Sequence, residues 1–560
     1  VALGGRTGRD GLHGATLSSV ELTDESAVSG GAVQIGDPVT EKMMLDAILE
    51  ARDERLYTAI TDCGAGGFSS AVSEMGEKTG VRVDLQDAPL KYEGLQPWEI
   101  WLSESQERMV LAVPPENEAR LRAICAQYSV EMSVLGTFVG DGRLHLLFGG
   151  QVVADMSMQF LHKGLPRREM TATWSAPDLP TRAAAPALEG EALGEILLAI
   201  LAHPNVRSKE DVVRRFDLDV QSSAVVRPFV GVHEDGPSDA AVIRPPEVED
   251  SWKGLALGCA LNPSYGAIDP YAMAICAIDE AVRNVVAVGA DPATISILDN
   301  FCWGNPLQPD RLGDLVRACK GCYDGALHYG TPFISGKDSL NNEYLDQATG
   351  VQTSIPPTLL ISALGMVPDV RQAVTADLKR PGNLLYLLGE TRRELGGSYY
   401  YRQRDLRDRS VPLMAKEGPA TARALHAAIG GGLVAACHDL SEGGLAVALA
   451  EMAVGGLHGA EVRLGWVAAD RNVTPADDWR LFSESNGRYL VEVEPRHAVA
   501  FERLLAGLAY ARIGHVTTAP TLTVYGGAGR ALFRLPIETL REAFSGHVRA
   551  GWAAEEGSHV

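Results

Sequence analysis

Basic residues are few for a chain of this length. The 560 residues include 50 Lys and Arg against 72 Asp and Glu, which gives a formal net charge of −22 at pH 7. Such an excess of negative charge argues against non-specific binding to nucleic acids or to anionic membrane surfaces. An anionic substrate would therefore need local positive charge, or a metal ion, at its binding site.

Long apolar stretches are also missing. No run of 18 consecutive apolar residues occurs, so no membrane-spanning helix is predicted, and the first residues do not resemble a signal peptide. The chain is 46% hydrophobic and 22% charged, as is typical of globular rather than disordered proteins. We expect roughly three or four domains in a cytoplasmic protein that binds neither nucleic acid nor membrane.

Cysteine is sparse and scattered. The eight cysteines include a single C-x-x-C, formed by Cys319 and Cys322, without a second such pair or a nearby pair of histidines. A structural zinc site needs such a second pair, so we expect two helical cysteines in a reducing compartment instead. The P-loop pattern G-x-x-x-x-G-K-[ST] is absent as well, which excludes that phosphate-binding loop.

An internal repeat organises the chain. Residues 62–75 (DCGAGGFSSAVSEM) recur as residues 439–452 (DLSEGGLAVALAEM), and one constant offset aligns the two stretches. Each copy predicts an acidic turn, two glycines and a helix with an apolar face. The glycines allow close approach of the backbone, and the N–H groups that open the helix suit an anion. One copy alone favours a tight turn before a core helix, whereas two copies indicate a duplicated domain.

The repeat extends beyond this motif. Residues 103–113 (SESQERMVLAV) match residues 483–493 (SESNGRYLVEV), and residues 7–14 (TGRDGLHG) resemble residues 335–342 (SGKDSLNN). On this alignment, the second copy has a long stretch before the matching motif that the first copy lacks. Because the first residue is Val1, we expect that the chain is truncated at its N-terminus.

Acidic residues near predicted strand ends are the first candidates for chemistry. Asp62 and Asp299 each end a predicted strand, and Glu104 comes shortly before one. Loops at strand ends gather ligands in α/β folds, and magnesium prefers carboxylate and phosphate oxygens. Acids near a glycine-rich turn therefore indicate a magnesium–nucleotide site, although each acid alone also fits a turn or a helix cap.

Gly336, Lys337 and Ser339 form a second motif of interest. Glycine permits close approach, lysine carries a point charge and serine donates a hydrogen bond, so we predict a phosphate-binding loop. His13 and His438 are candidates for acid–base chemistry because histidine titrates near neutral pH. Each histidine also fits a structural hydrogen-bonding role, which is the interpretation we favour.

A set of motifs along the chain resembles a known family. The motifs are GRDGLHGATLSS, VQIGDP, DCGAGG, SESQERM, LNPSYGAIDPY, EAVRN, LDNFCWGNP, SGKDSLNNEY and LGETRRELGGS. They cover nearly the whole chain in order. Together they closely resemble phosphoribosylformylglycinamidine synthase, the PurL-type amidotransferase subunit of purine biosynthesis.

The resemblance implies an α/β (α+β) fold of two AIR synthetase-like halves. Each half would have an N-terminal-type domain, which contributes strands to a shared barrel, and a C-terminal-type α/β domain. The implied bounds are a remnant of the first N-terminal-type domain at 1–40, the first C-terminal-type domain at 41–176, a linker at 177–191, the second N-terminal-type domain at 192–375 and the second C-terminal-type domain at 376–560.

The resemblance also implies a ligase reaction. ATP, formylglycinamide ribonucleotide (FGAR) and glutamine would give formylglycinamidine ribonucleotide (FGAM), ADP, phosphate and glutamate, with Mg²⁺ as cofactor. Phosphoryl transfer would turn an amide oxygen into a leaving group, and ammonia would then add at the carbon. Because no glutaminase nucleophile elbow occurs in the sequence, a separate glutaminase subunit and a small bridging subunit are the expected partners.

The resemblance implies roles for individual residues. The implied FGAR contacts are Gln34, Glu104, Ser105, Gln106 and Ser339, the implied ATP contacts are Asp299 and Gly336, and the implied Mg²⁺ ligand is Asp62. Lys337 stands where relatives often carry an asparagine metal ligand. A protonated lysine cannot ligate Mg²⁺, so we expect Lys337 to neutralise ATP phosphate. His438, Asp439 and Glu484 resemble counterparts in a second cleft, which family members can use to hold a structural nucleotide.

The family's catalytic histidines lie in a segment that the resemblance places before Val1. No stretch similar to ESHNHPS occurs here, so we leave the catalytic residues unassigned and expect the polypeptide alone to be inactive. Two alternatives stay open. One is another ATP-dependent enzyme of the AIR synthetase superfamily, although those enzymes carry one copy per chain. The other is a non-catalytic nucleotide-binding scaffold.

Overall fold

The computed structural model describes residues 1–12, 36–215, 218, 222–469 and 476–545. The chain divides into two units. The first unit comprises Val1–Met170 and Leu340–Ser354, and the second comprises Thr171–Ser339 and Ile355–Val560. Both units are built of helices and strands, which confirms the predicted mixed α/β class.

Helices and strands are interspersed in the first unit. Its helices are α1 (Pro38–Asp53), α2 (Phe68–Met75), α3 (Pro97–Leu102), α4 (Glu118–Gln127) and α5 (Met158–Lys163). Its strands up to residue 170 are β1 (Ala2–Gly4), β2 (Ala59–Asp62), β3 (Val81–Asp84), β4 (Arg108–Ala112), β5 (Met132–Ser133), β6 (Gly136–Phe138), β7 (Arg143–Phe148) and β8 (Gln151–Ser157). α1 begins where the Asp37 carboxylate accepts hydrogen bonds from the N–H groups of Val39 and Thr40.

These strands form two sheets. One has the order β2-β4-β1-β5, and the other has the order β6-β3-β7-β8. Along β1, Ala2 belongs to the hydrophobic core that includes α2 and α3, whereas Leu3 belongs to the core that includes α1 and α4. Successive side chains of a strand point to opposite faces, so this first sheet is covered by helices on both faces.

The second unit contains most of the remaining elements. Its helices are α6 (Glu191–Leu201), α7 (Glu210–Val213), α8 (Pro263–Gly266), α9 (Pro270–Ala287), α10 (Pro309–Tyr329), α11 (Tyr399–Gln403), α12 (Gly418–Gly430), α13 (Gly444–Gly456), α14 (Asp477–Phe482), α15 (Ala498–Leu504) and α16 (Ile537–Ser545). The strands that follow β8 in the chain are β9 (Ala224–Val226), β10 (Phe229–Val230), β11 (Gly236–Pro237), β12 (Ala241–Ile243), β13 (Gly254–Ala260), β14 (Ser296–Cys302), β15 (Phe333–Ser339), β16 (Glu343–Leu345), β17 (Gln352–Ser354), β18 (Thr358–Val367), β19 (Leu384–Leu388), β20 (Ala436–Asp439), β21 (Gly459–Arg463), β22 (Tyr489–Val493), β23 (Tyr510–Thr517), β24 (Thr521–Tyr525) and β25 (Ala531–Pro536). The pair β16 and β17 belongs to the first unit. Among the described residues, no helix combines the length and the apolar character needed to span a membrane.

A six-stranded sheet with the order β15-β14-β18-β13-β12-β9 forms one part of the second unit. α9 packs against this sheet and is buried along almost its whole length, because few of its residues are polar. α10 packs on α9 at Gly321, where a Cβ atom would come within 2.5 Å of the Tyr271 carbonyl oxygen. Cys319 and Cys322 both lie on α10, which confirms their predicted helical position.

A seven-stranded sheet with the order β20-β22-β19-β23-β21-β24-β25 forms the other part of this unit. The first unit shows the same succession, because β2-β4-β1 corresponds to β20-β22-β19 and β3-β7-β8 corresponds to β21-β24-β25. One difference is that β23 runs unbroken through eight residues, where the first unit has the two short strands β5 and β6. The shared strand order confirms the predicted duplication.

Two expectations about the six-stranded sheet are wrong. Asp299 does not end a strand but lies in the middle of β14, and Gly336, Lys337 and Ser339 lie on β15 rather than in a loop. The two strands are parallel neighbours, and Asp299 is paired in register with Gly336. β15 is an edge strand with exposed polar residues, which a sequence pattern does not distinguish from a loop.

A buried ion pair ties α9 to the seven-stranded sheet. The guanidinium of Arg283 donates to Asp279 Oδ1 at 2.5 Å and to the Leu440 carbonyl oxygen at 2.8 Å, and it also pairs with Asp439 at the end of β20. Burial opposes the charge of Arg283, but the two aspartates raise its pKa above the ordinary value. The two sheets of the second unit are thus linked by charge as well as by apolar packing.

Arg283→Met should strongly destabilise the second unit. The substitution leaves Asp279 and Asp439 buried without their cation, and breaking a buried pair in this way costs about 3 kcal/mol or more. Urea unfolding followed by circular dichroism measures the loss. Lys320→Met removes a solvent-exposed pair with Asp324 and should leave the unfolding midpoint nearly unchanged. Equal effects of the two substitutions would contradict this account.

Candidate functional site

The first copy of the repeated motif forms a turn between β2 and α2. Asp62 is the last residue of β2, its side chain is exposed, and its Oδ1 accepts a hydrogen bond from the Gly64 N–H at 2.8 Å. Gly66 and Gly67 follow with φ angles of +76° and +55°. A Cβ atom at Gly67 would lie 1.8 Å from the Ser103 carbonyl oxygen, so only glycine lets the turn approach the neighbouring loop.

That neighbouring loop, residues 103–107 between α3 and β4, carries predicted substrate contacts. Oε1 of Glu104 accepts a hydrogen bond from the Gly66 N–H at 2.9 Å, and the N–H of Glu104 donates to the Asp10 carbonyl oxygen at 2.9 Å. Gln106 is exposed, and its side-chain amide donates to the Glu104 carbonyl oxygen at 2.9 Å. The structure therefore brings Glu104 into contact with the turn that carries Asp62, and Gln106 lies two residues further along the same loop.

Ser105 is fully buried behind this loop. Its hydroxyl donates to Asp10 Oδ2 at 2.6 Å and accepts a hydrogen bond from the Gly8 N–H at 3.0 Å. Asp10 also pairs with Lys91 at 2.6 Å. Partial burial opposes the ionisation of Asp10, but the hydrogen bonds from Lys91 and Ser105 lower its pKa below the ordinary value. The Ser105 side chain thus anchors the loop, and its contact with FGAR stays a prediction.

The predicted ATP contacts lie together on β14 and β15 of the second unit. Asp299 and Gly336 face each other in register, and a Cβ atom at Gly336 would lie 2.6 Å from Asp299 Oδ1. Burial raises the pKa of Asp299, and the nearby Asp338 raises it further, while a hydrogen bond from the backbone of Lys337 lowers it. The Lys337 ammonium donates to the Ser339 hydroxyl. The proposed contacts Asp299, Gly336, Lys337 and Ser339 therefore share this strand pair.

Two of the residues singled out in the sequence, Gln34 and His13, lie outside the described residues. The role of Gln34 in binding FGAR stays a prediction.

The second copy repeats the geometry of the first almost bond for bond. Oε1 of Glu484 accepts a hydrogen bond from the Gly443 N–H at 2.8 Å, as Glu104 does from Gly66. A Cβ atom at Gly444 would lie 2.3 Å from the Ser483 carbonyl oxygen, as one at Gly67 would from Ser103. The acidic turn and the loop that begins with Ser-Glu-Ser therefore form one structural module, which occurs in both halves.

The predicted match between residues 7–14 and residues 335–342 is wrong. The N–H of Gly8 donates to Ser105 Oγ at 3.0 Å, and the N–H of Arg392 makes the same bond to Ser485 Oγ at 3.0 Å. Residues 7–10 therefore correspond to residues 391–394, whereas residues 335–339 lie on β15. The short G-x-D similarity misled the alignment because glycine and aspartate recur in unrelated turns.

Glu484 differs from Glu104 in what surrounds it. Glu484 is buried, and its carboxylate also accepts hydrogen bonds from the Tyr265 hydroxyl and from the Tyr399 N–H. Burial raises the pKa of Glu484 to about 7, although the hydrogen bonds from Tyr265 and Gly443 oppose the shift. The carboxylate of Glu484 is thus hydrogen-bonded to groups of the protein itself. Glu104, in contrast, is only half-buried.

His438 is held between carboxylates. Its Nδ1 lies 2.8 Å from Asp239 Oδ1, and its Nε2 lies 3.0 Å from Glu451 Oε2. Burial disfavours the imidazolium, but Asp239 and Glu451 raise the pKa of His438 well above its ordinary value. Asp239, His438 and Asp439 bring potential metal-ligand atoms within 4.8 Å of one another, yet His438 and Arg283 already pair with these acids. The structure therefore supports the structural interpretation of His438.

The residues that support the loop were missed in the sequence. Asp10, Lys91 and Arg108 carry no predicted role, although the motifs GRDG and SESQERM contain two of them. Their importance depends on contacts between segments about a hundred residues apart, such as the bond from Ser105 to Asp10. The spacing of the motifs gives no signal for such contacts.

Comparisons with known proteins identify relatives of both halves. A family model described as AIR synthase related protein, C-terminal domain, matches residues 1–148 and 380–527, and the corresponding N-terminal domain model matches residues 237–367. The PurL subunits of phosphoribosylformylglycinamidine synthase from Thermoplasma volcanium, Anaeromyxobacter and Moorella thermoacetica are 33%, 35% and 36% identical to this chain. The matches cover 97%, 98% and 96% of this chain and 69%, 70% and 71% of those relatives.

Solved structures with the same fold exist. Thermotoga maritima PurL complexed with FGAR has a TM-score of 0.63 at 23% identity, over 92% of this chain and 71% of that one. The same organism's PurL complexed with ATP has a TM-score of 0.60 at 22% identity, over 92% and 70% of the two chains. At these identities, the structures establish a shared fold.

Gly67→Ala should disrupt the contact between the turn and the loop. The added Cβ atom would collide with the Ser103 carbonyl oxygen at a backbone conformation that favours glycine, at a cost of about 3 kcal/mol. Gly94→Ala is the matched control, because Gly94 also has a positive φ angle but no atom within 4 Å of the new Cβ. It should cost about 1 kcal/mol in urea unfolding. Similar losses for both variants would show that the close approach is unimportant.

Glu484→Gln should change how stability depends on pH. A carboxyl group whose pKa is raised on folding binds more protons in the folded state, so its contribution to the free energy of unfolding falls as pH rises from about 5 to about 7. Glutamine keeps an acceptor for the Gly443 N–H and removes this loss. The stability of the variant relative to wild type should therefore increase over that range in urea unfolding. The exposed Glu538→Gln serves as control, and a pH-independent difference for Glu484→Gln would refute the shift.

Proposed function

This chain belongs to the PurL family of phosphoribosylformylglycinamidine synthase subunits, and we propose that its first copy holds FGAR while β14 and β15 contact ATP. Enzymes of this family are ligases that use ATP to amidate FGAR to FGAM in purine biosynthesis. The observation that carries the proposal is the match of at least 33% identity over almost the whole chain to PurL subunits. The Glu104 loop and the Asp62 turn are in contact with each other, and they carry the residues for which the resemblance implies FGAR and Mg²⁺ binding.

The residues of the first copy would bind and orient FGAR. Glu104 bonds to the turn, Gln106 bonds to the backbone of Glu104, and Ser105 fixes the loop through Asp10. In the proposed reaction, the amide oxygen of FGAR attacks the γ-phosphorus of ATP and ADP leaves. Ammonia then adds at the carbon of the resulting iminophosphate, and phosphate leaves with that oxygen. Holding the amide of FGAR in a fixed position is the contribution we propose for the loop.

Asp62 is the residue that we propose as a ligand of the Mg²⁺ implied by the resemblance. Its carboxylate is exposed beside the glycine turn, where hard oxygen ligands suit this ion. When bound, Mg²⁺ neutralises charge on the nucleotide phosphates. Asp299 and Gly336 are the proposed ATP contacts, and Lys337 would place its ammonium, now bonded to Ser339, against a phosphate oxygen.

We propose a revised domain division as well. The family model for the C-terminal domain begins at residue 1, and the contacts of residues 7–10 repeat those of residues 391–394. Residues 1–12 are therefore better grouped with the first C-terminal-type domain than with a remnant of an N-terminal-type domain. The remaining bounds, including the linker at 177–191, stay predictions.

Ammonia for this reaction would come from a separate glutaminase subunit, with a small bridging subunit between the two proteins. Support comes from a solved Thermotoga maritima assembly named PurLQS, whose PurL fold this chain shares with a TM-score of 0.61. The cytoplasmic location stays a prediction.

Glu104→Gln should weaken FGAR binding about tenfold or more, because it removes a charged acceptor while keeping an oxygen for the Gly66 N–H. Isothermal titration of the chain with FGAR measures the effect. Glu484→Gln, which changes the equivalent residue of the second copy, is the matched control and should bind FGAR like the wild type. Absence of FGAR binding by the wild type, or equal losses in both variants, would contradict the proposed site.

A further inference from the structure

Arg108 is buried beneath the loop that carries Glu104. It is the first residue of β4, and its side chain is 4% exposed. Its Nε donates to the Ser105 carbonyl oxygen at 2.8 Å, and its Nη2 donates to the Ser103 carbonyl oxygen at 2.5 Å. One guanidinium therefore donates hydrogen bonds to the backbone on both sides of Glu104.

The same side chain reaches two further segments of the site. Its Nη1 donates to Thr7 Oγ1 at 2.9 Å, in the turn that leads to Asp10. Its Cζ lies 4.5 Å from the centre of the Phe68 ring, at the start of the helix that follows the Asp62 turn. The carbonyl of Arg108 accepts a hydrogen bond from the N–H of Cys63 at 3.1 Å. Among the described residues, Arg108 thus contacts all three segments of the first-copy site: the loop 103–107, the turn that leads to Asp10 and the turn that carries Asp62.

We propose that Arg108 is a positioning residue for FGAR binding, which orients the carboxylate of Glu104 by holding the carbonyl oxygens of Ser103 and Ser105. The inference rests on the proposed function of this site. The Arg108 donors named here go to two carbonyls and one hydroxyl, none of which cancels its charge, although burial makes a guanidinium costly. Holding the loop in one conformation is a role that accounts for such an arrangement.

The second copy provides an internal comparison. Arg488 donates from Nε to the Ser485 carbonyl at 2.9 Å, from Nη1 to Thr391 Oγ1 at 3.1 Å, and from Nη2 to the Ser483 carbonyl. There, however, the carboxylate that the loop carries is already occupied by Tyr265 and the backbone. The two arginines therefore share a structural role, and only Arg108 adds a role in binding.

Lysine cannot replace this fork of donors. A guanidinium directs N–H groups at three acceptors from three nitrogen atoms, whereas an ammonium offers its donors from one. Arg108→Lys keeps the charge and most of the volume but should release at least one carbonyl. The loop would then hold Glu104 less firmly.

The test measures FGAR affinity and thermal stability together, with the full chain. Arg108→Lys should lower FGAR affinity about tenfold or more in isothermal titration, while the affinity for AMPPCP changes less than about twofold. Arg488→Lys should lower the melting temperature about as much as Arg108→Lys does, but it should leave the affinity for FGAR unchanged. Thr7→Val and Thr391→Val form a milder pair with the same expected contrast, which serves if either lysine variant fails to fold.

The outcomes separate the two proposals. If the wild type binds no FGAR, the proposed function falls, and the role of Arg108 falls with it. If the wild type binds FGAR and Arg108→Lys or Thr7→Val binds it equally well, only the positioning role is overturned. Equal losses of FGAR affinity in the first-copy and second-copy variants would also overturn it, because the effect would then be general destabilisation.

Discussion

The hydrogen bond from a glycine N–H to a glutamate carboxylate, Gly66 to Glu104 and Gly443 to Glu484, is the constraint on which both copies depend. It requires an acidic turn and a distant loop to meet at a distance that any Cβ atom at the next glycine would prevent. The strands next to this contact are neighbours in both copies, because β2 and β20 lead into the turn and pair with β4 and β22, which begin after the loop. The duplicated fold keeps the bond even where the two copies have diverged in other respects.

The copies differ in how deeply the glutamate is buried, because Glu484 is buried and Glu104 is half-buried. In the second copy, Tyr265 comes from the six-stranded part of the unit and closes over Glu484, and Arg283 neutralises the acid that corresponds to Asp62. Charges that face outward in one copy are thus satisfied inside the protein in the other. In the second copy, hydrogen bonds and ion pairs within the protein therefore stabilise a buried cluster of charged groups.

Much of the architecture was predictable from the sequence, because the repeated glycines and the SES motif are local patterns. The helical position of Cys319 and Cys322 and the strand before Asp62 follow from such patterns too. β15 was missed because its polar residues resemble a loop, although its pairing with β14 makes it a strand. The partners of Glu484 and of Arg108 could not be predicted, since Tyr265 and Thr7 lie far away in the chain and only the folded topology brings them close.

The two halves differ in the continuity of one strand, and this difference affects how each half would unfold. In the second copy, the single strand β23 carries the ladder from β19 to β21, with one register shift opposite Leu385 and Tyr386. In the first copy, that ladder stops at Ser133 and resumes at Gly136, so its two sheets share no uninterrupted strand. Cooperative opening spreads through continuous backbone pairing. We therefore expect the two sheets of the first half to exchange their amide protons in separate steps, and the seven strands of the second half to open together.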